Sequence, residues 1–160
     1  MDHLSVFEWG PSMDTTRSPS GCTETSLHCR WPASRRTVTA LRDELVRWAQ
    51  DLDLPGHLAH AIGLAGYEAL TNSATHAYPE GTDGPVELHA SRDHDLIAVT
   101  VLDRGRWQPP PPGRSMFDGH GLRLIRGLAG HVEVTATDEG TTVSMTWQLP
   151  HDGGDARSIA

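Results

Sequence analysis

The chain has 160 residues and a formal net charge of −8. One domain with a sizeable core is expected, since a chain of ~150 residues buries about 70% of its unfolded surface. The acidic balance argues against direct nucleic-acid or anionic-membrane binding, which needs clustered Lys and Arg, and the single basic cluster, Arg35-Arg36, falls at an expected helix start. No apolar run approaches the ~20 residues of a membrane span, and no basic region followed by an apolar stretch marks a secretory signal. Cys22 and Cys29 do not make a disulfide framework; free thiols in a reducing cytoplasm are the reading.

Residues 1 to about 24 are rich in Ser, Thr, Pro and Gly and are expected to form a flexible leader. The alternation Ser26 to Trp31 predicts a strand ended by Pro32. Ser34 then has the form of an N-cap, and Val38, Leu41, Leu45 and Trp48 recur at helical spacing until Asp51-Leu52-Asp53-Leu54-Pro55-Gly56 breaks the helix. A second helix is expected from His57 to Ala77, with Gly63 and Gly66 allowing close packing on a neighbour. Strands Pro85–Ser91 and Asp95–Asp103 follow a loop, and the second is apolar enough to be central in its sheet. Pro109 to Pro112 make residues 104–118 a stiff loop or lid. A third helix begins near Gly119 and stops at Gly130, and strands His131–Asp138 and Thr141–Leu149 close the domain before a polar tail over residues 151–160. The order predicts an α/β (α+β) two-layer sandwich over residues 25–150, with a mixed, mostly antiparallel sheet and helices on one face.

The residues that carry chemistry sit at the ends of these elements. Glu68 and Asn72 are four apart, one helical turn, so both stand on one face. A carboxylate there can take a proton from an attacking hydroxyl, and an amide oxygen can hold a hard cation such as Mg²⁺; a solvated helix face is the alternative. Asp103-Arg104-Gly105 ends a strand, as plain turns do, or places a carboxylate to accept from an exocyclic amine such as that of adenine, with Gly105 letting the base approach. Gly119-His120-Gly121-Leu122 opens a helix, either because the backbone needs an unusual φ or because bare N–H groups there bind phosphate. The helix dipole, ~0.3 to 2 kcal/mol, is too weak alone to hold a polyphosphate on an acidic chain. A cation on Asn72 is therefore expected, with Arg104, Arg106, Arg114 or Arg123 as helpers. Glu139-Gly140-Thr141-Thr142 is a good hairpin turn in its own right. His57 and His60 lack a partnering acid, and the other histidines show no ligand spacing.

Together these segments resemble the GHKL ATPase superfamily, in the form used by bacterial anti-sigma factor serine kinases. Glu68-Ala69-Leu70-Thr71-Asn72 with His76-Ala77-Tyr78 is similar to the N-box, Asp103-Arg104-Gly105 to the G1 box, Gly119-His120-Gly121-Leu122 to the G2 box, and Gly140-Thr141-Thr142-Val143 to the last, Thr-bearing box. The resemblance implies a Bergerat-type ATP-binding fold with ATP and Mg²⁺ as ligands. It implies Glu68 as general base, Asn72 as metal ligand, Asp103 as adenine reader, and Gly105, Gly119, Gly121, Leu122 and Thr142 as nucleotide-lining residues. It also implies a cytoplasmic serine/threonine-protein kinase that sequesters a sigma factor and phosphorylates a STAS-type anti-anti-sigma protein; a homodimer follows from the likeness alone. Arg106-Trp107 stand where the G1 box often ends in a second glycine, which motivates the alternative of a catalytically weak ATP-binding module acting by protein binding only.

Overall fold

The computed structural model describes residues 25–78, 82–106, 112–113 and 119–150. The elements run β1 (Ser26–Pro32), α1 (Arg35–Asp51), α2 (Gly56–His76), β2 (Pro85–Asp93), β3 (Leu96–Asp103), α3 (His120–Leu128), β4 (His131–Thr137) and β5 (Gly140–Gln148). The expected leader, the polar tail and most of the proline loop lie outside the described residues.

Local chemistry sets the element ends. Ser34, in extended backbone, caps α1: its Oγ accepts from Thr37 N at 3.2 Å. Such a cap contributes about 1 kcal/mol. At the other end of α1 the Arg92 guanidinium donates to Leu52 O at 3.2 Å, and the Trp147 indole N–H donates to Leu128 O at 2.8 Å behind α3. Both bonds satisfy carbonyls that a helix C-terminus leaves open.

The five strands form one sheet in the order β1-β2-β3-β5-β4, and every pairing is antiparallel. The sheet is thus a purely antiparallel instance of the mostly antiparallel one expected, with β3 at its centre. Period-2 alternation splits it into two faces. Leu88, Val99, Val101, Val143 and Met145 are buried toward the helices, where they meet Leu41, Leu45, Ile62 and Leu70. Each such side chain contributes roughly 1.5–3 kcal/mol by burial. The alternate residues, among them His28, Arg30, His89, Thr100 and Ser144, form the other face, which no described helix covers.

Helices α1 and α2 lie side by side. A Cβ on Gly66 would fall 2.3 Å from Leu45 Cδ2, and one on Gly63 would fall 2.5 Å from Val46 Cγ2. The two glycines therefore have the close-packing role expected of them. No described helix is long and apolar enough to cross a membrane.

Candidate nucleotide site

Helix α2 carries Glu68, Asn72 and His76 at successive turns, and this line organises the site. At one end it meets the start of α3. A Cβ on Gly121 would stand 3.0 Å from Glu68 Oε2, 3.2 Å from Asn72 Nδ2 and 3.3 Å from Asn72 Oδ1. Glycine at 121 thus keeps open a space that both side chains border. Gly119, the N-cap, has φ −70, and a Cβ there would meet nothing within 4 Å, so neither unusual backbone nor a close neighbour explains it. Leu122 is buried in the core, where it seats α3 rather than facing the open space.

At the other end the line runs into a narrow cleft between α2 and the ends of β3 and β5. Asn72, Ser73, His76, Ala77, Asp103, Thr141 and Val143 line it, and its volume is about 10 Å³, room for a single water. Asp103 is buried, and its Oδ1 accepts from Gly105 N at 3.1 Å and Thr141 N at 3.2 Å. Two backbone donors fix this carboxylate in one orientation. The Thr141 Oγ1 is buried without a hydrogen-bond partner among the described residues. Orphaned hydroxyls are costly, by about 1–3 kcal/mol, unless a ligand or water completes them.

Gly105 has a different reason from the one expected. A Cβ there would fall 1.9 Å from Ala77 O, so glycine is required by the approach of the loop to the end of α2. Arg106 N donates to the same Ala77 O at 2.9 Å. Gly140, at φ +140, turns the β4–β5 hairpin directly beneath Asp103, whose carbonyl a Cβ would meet at 1.9 Å. Thr142 is not brought to the cleft. Register pairs Thr141 with Asp103 and Thr142 with Leu102, so Thr142 points to the helix-free face. Thr141 takes the place expected of Thr142. Arg104 also turns away: its Nη2 lies 3.7 Å from Glu87 Oε1 on that same opposite face. Arg106 and Arg123 are exposed, and Arg114 lies outside the described residues.

Tyr78 is a residue whose part the sequence reading missed. Its hydroxyl donates to Pro85 O at 2.6 Å and accepts from Arg104 N at 2.9 Å. It ties the end of α2 to the start of β2 and to the loop after Asp103. Burial pushes its phenol above the ordinary value, outweighing the hydrogen bond from Arg104. A Cβ on Gly84 would overlap the tyrosine ring, so Gly84 makes the seat for this strut. The spacing of Tyr78 from Pro85 carries no periodic signal that could have announced it.

A hollow of about 790 Å³ lies on the outer side of α1 and α2, lined by Arg42, Gln50, His60 and Tyr67 among others, and includes none of Glu68, Asn72 or Asp103.

Comparison with known proteins agrees with the fold. Residues 31–147 match the family model described as "Histidine kinase-like ATPase domain". Blue-light-activated histidine kinase 2 of Erythrobacter litoralis is 33% identical over 102 residues, 61% of this chain and 30% of that protein. The anti-sigma F factor of Lysinibacillus sphaericus is 29% identical over 90 residues, 49% of this chain and 62% of that protein. The serine/threonine-protein kinase BtrW of Bordetella bronchiseptica is 32% identical over 97 residues, 54% of this chain and 62% of that protein. The chain therefore spans less than two thirds of the length of each. Among solved structures, the RsbU and RsbW domains of a Mycobacterium tuberculosis protein superpose with a TM-score of 0.63 at 20% identity, over 78% of this chain and 32% of that one, a likeness of fold.

Proposed function

The chain belongs to the histidine kinase-like ATPase domain family, and on that footing we propose that it is an ATP-dependent serine-protein kinase that also acts as an anti-sigma factor. The observation that carries the reading is the continuous line on α2: Glu68 and Asn72 border the gap kept by Gly121, and Asn72 continues into the cleft of Asp103 and the orphaned Thr141 hydroxyl. One helix face thus joins the opening at the start of α3 to the polar cleft that holds the Asp103 carboxylate.

Each residue then has a definite task. Asp103, held by two backbone donors, accepts from the adenine amino group. Thr141 Oγ1 completes its hydrogen bonding with the same end of the ligand. The N–H groups opening α3 receive phosphate oxygens. The oxygens of Asn72 and Glu68 are the hard donors that Mg²⁺ prefers; Asn72 would hold the ion, which supplies charge neutralisation at the transferring phosphoryl. Glu68 accepts the proton of the attacking serine hydroxyl as the oxygen–phosphorus bond forms and the bond to ADP breaks. The relatives named anti-sigma F factor and serine/threonine-protein kinase support a sigma factor and a STAS-type serine protein as partners.

The test is transfer from γ-labelled ATP to the serine of the cognate STAS-type protein, with wild type beside Glu68→Gln. Labelling by wild type and its loss in the variant, with ATP affinity retained, is the expected result. Equal labelling by both proteins would overturn the role of Glu68. ATP binding with no labelling by wild type would leave a nucleotide-dependent binding module, the reading that Arg106-Trp107 favours.

A further inference from the structure

The helix-free face of the sheet carries a second cluster, built by strand register. In the β1–β2 pairing His28 lies directly opposite His89, and Arg30 lies opposite Glu87. Directly paired residues share a face, and so do residues two apart, so all four side chains project together. The two imidazoles stack with centroids 4.1 Å apart and 22° between planes. Both aim Nε2 at one carboxylate oxygen: Glu87 Oε2 lies 4.0 Å from His28 Nε2 and 3.6 Å from His89 Nε2.

We propose that His28, Glu87 and His89 form a binding site for a first-row divalent transition metal, of which zinc is the representative. The donor set is two imidazole nitrogens and one carboxylate oxygen, the chemistry that zinc accepts, and the three ligand atoms already lie within 4.8 Å of one another. Bonds of ~2.0–2.1 Å in a tetrahedral site place ligand atoms about 3.3 Å apart. Closing on a cation draws the ligand atoms together from within 4.8 Å and turns the two stacked rings so that their lone pairs converge, movements open to half-exposed side chains.

Glu87 is the fixed point. Its side chain is only 11% exposed, while His28 and His89 are 52% and 48% exposed and free to turn. Its second oxygen, Oε1, makes no hydrogen bond among the described residues. That oxygen instead faces Arg30 Nε at 3.6 Å and Arg104 Nη2 at 3.7 Å. The arginines engage Oε1 and leave Oε2 to the histidines. They also lower the affinity for a cation, so removing one should tighten binding. Three protein donors leave a fourth position for water or for a donor from another molecule.

The experiment is calorimetric titration of the full chain with zinc chloride in a non-coordinating buffer, followed by long-range ¹H–¹⁵N spectra of the histidine rings. One tight site per chain is expected, with metal shifts at the Nε2 of two of the ten histidines. His28→Ala or His89→Ala should weaken it at least tenfold. His131→Ala, an exposed histidine on β4, should change it less than twofold. Arg30→Gln should tighten it several-fold. Because the three histidines are exposed, their variants keep the fold and the test does not depend on altering Glu87. Wild-type zinc affinity in both His28→Ala and His89→Ala, or unshifted His28 and His89 rings at saturating zinc, would overturn the proposal.

Discussion

Asp103 and Glu87 are the two buried carboxylates among the described residues, and they sit on opposite faces of neighbouring strands. Asp103 faces the helices and is held by two backbone N–H groups. Glu87 faces away and is ringed by four side chains at 3.6–4.0 Å with no hydrogen bond to Oε1. Backbone donors move only with the chain that carries them, here β5 and the loop after β3, so the Asp103 carboxylate is held in one orientation. Side-chain partners rotate, so the surroundings of Glu87 are adjustable. Burial is common to both; the kind of partner separates a carboxylate fixed by backbone from one in an adjustable charge cluster.

Five substitutions would break or sharpen that contrast. The largest effect is expected on the helix-facing side at Glu68→Gln, which should slow phosphoryl transfer by about 10²–10⁴-fold, the usual contribution of a general base; single-turnover labelling measures it, and ATP affinity should hold. Asp103→Asn keeps an acceptor for the backbone but loses the charge. It should weaken ATP about ten- to a hundredfold, in line with ~1.5–3 kcal/mol for a hydrogen bond to a charged group. Calorimetry with ATP and Mg²⁺ decides this, and unchanged affinity would remove Asp103 from the site.

Tyr78→Phe leaves Pro85 O and Arg104 N without their partner and should cost about 1–3 kcal/mol in denaturant unfolding. The pH dependence carries a sign. The folded phenol titrates above its ordinary value of 10.0, so its contribution is fully present below about pH 10 and is lost as pH rises through the higher folded value. Wild type should lose stability over that alkaline window more steeply than the variant. The smallest effect compares neighbours on opposite faces: Thr141→Ala should lower ATP affinity a few-fold, about 1 kcal/mol for one hydrogen bond, while Thr142→Ala should leave it unchanged. Equal effects at both positions would erase the distinction between the faces.

Much of the molecule was legible beforehand. The N-cap at Ser34, the helical spacing of Leu41, Leu45 and Trp48, the apolar run of β3 and the glycines at 63 and 66 are local signals, and each has its expected place. Glu68 and Asn72 were readable as a pair because a helix fixes their relation within one turn. The order of the glycine segments was readable as well. Their reasons were not: Gly105 answers to the carbonyl of Ala77, which is remote in sequence.

What the sequence by itself determined is therefore whatever depends on residues a few positions apart: helix faces, caps, strand alternation and the type of residue at each element end. What only the tertiary structure decided is whatever depends on which strand lies beside which, and in what register. A shift of one residue between β3 and β5 would exchange Thr141 for Thr142 in the cleft. The β1–β2 register brings His28 onto His89 across 61 residues, a relation no spacing rule contains. Local periodicity sets the side a residue can face, and long-range pairing, stabilised by the buried core, chooses its neighbours.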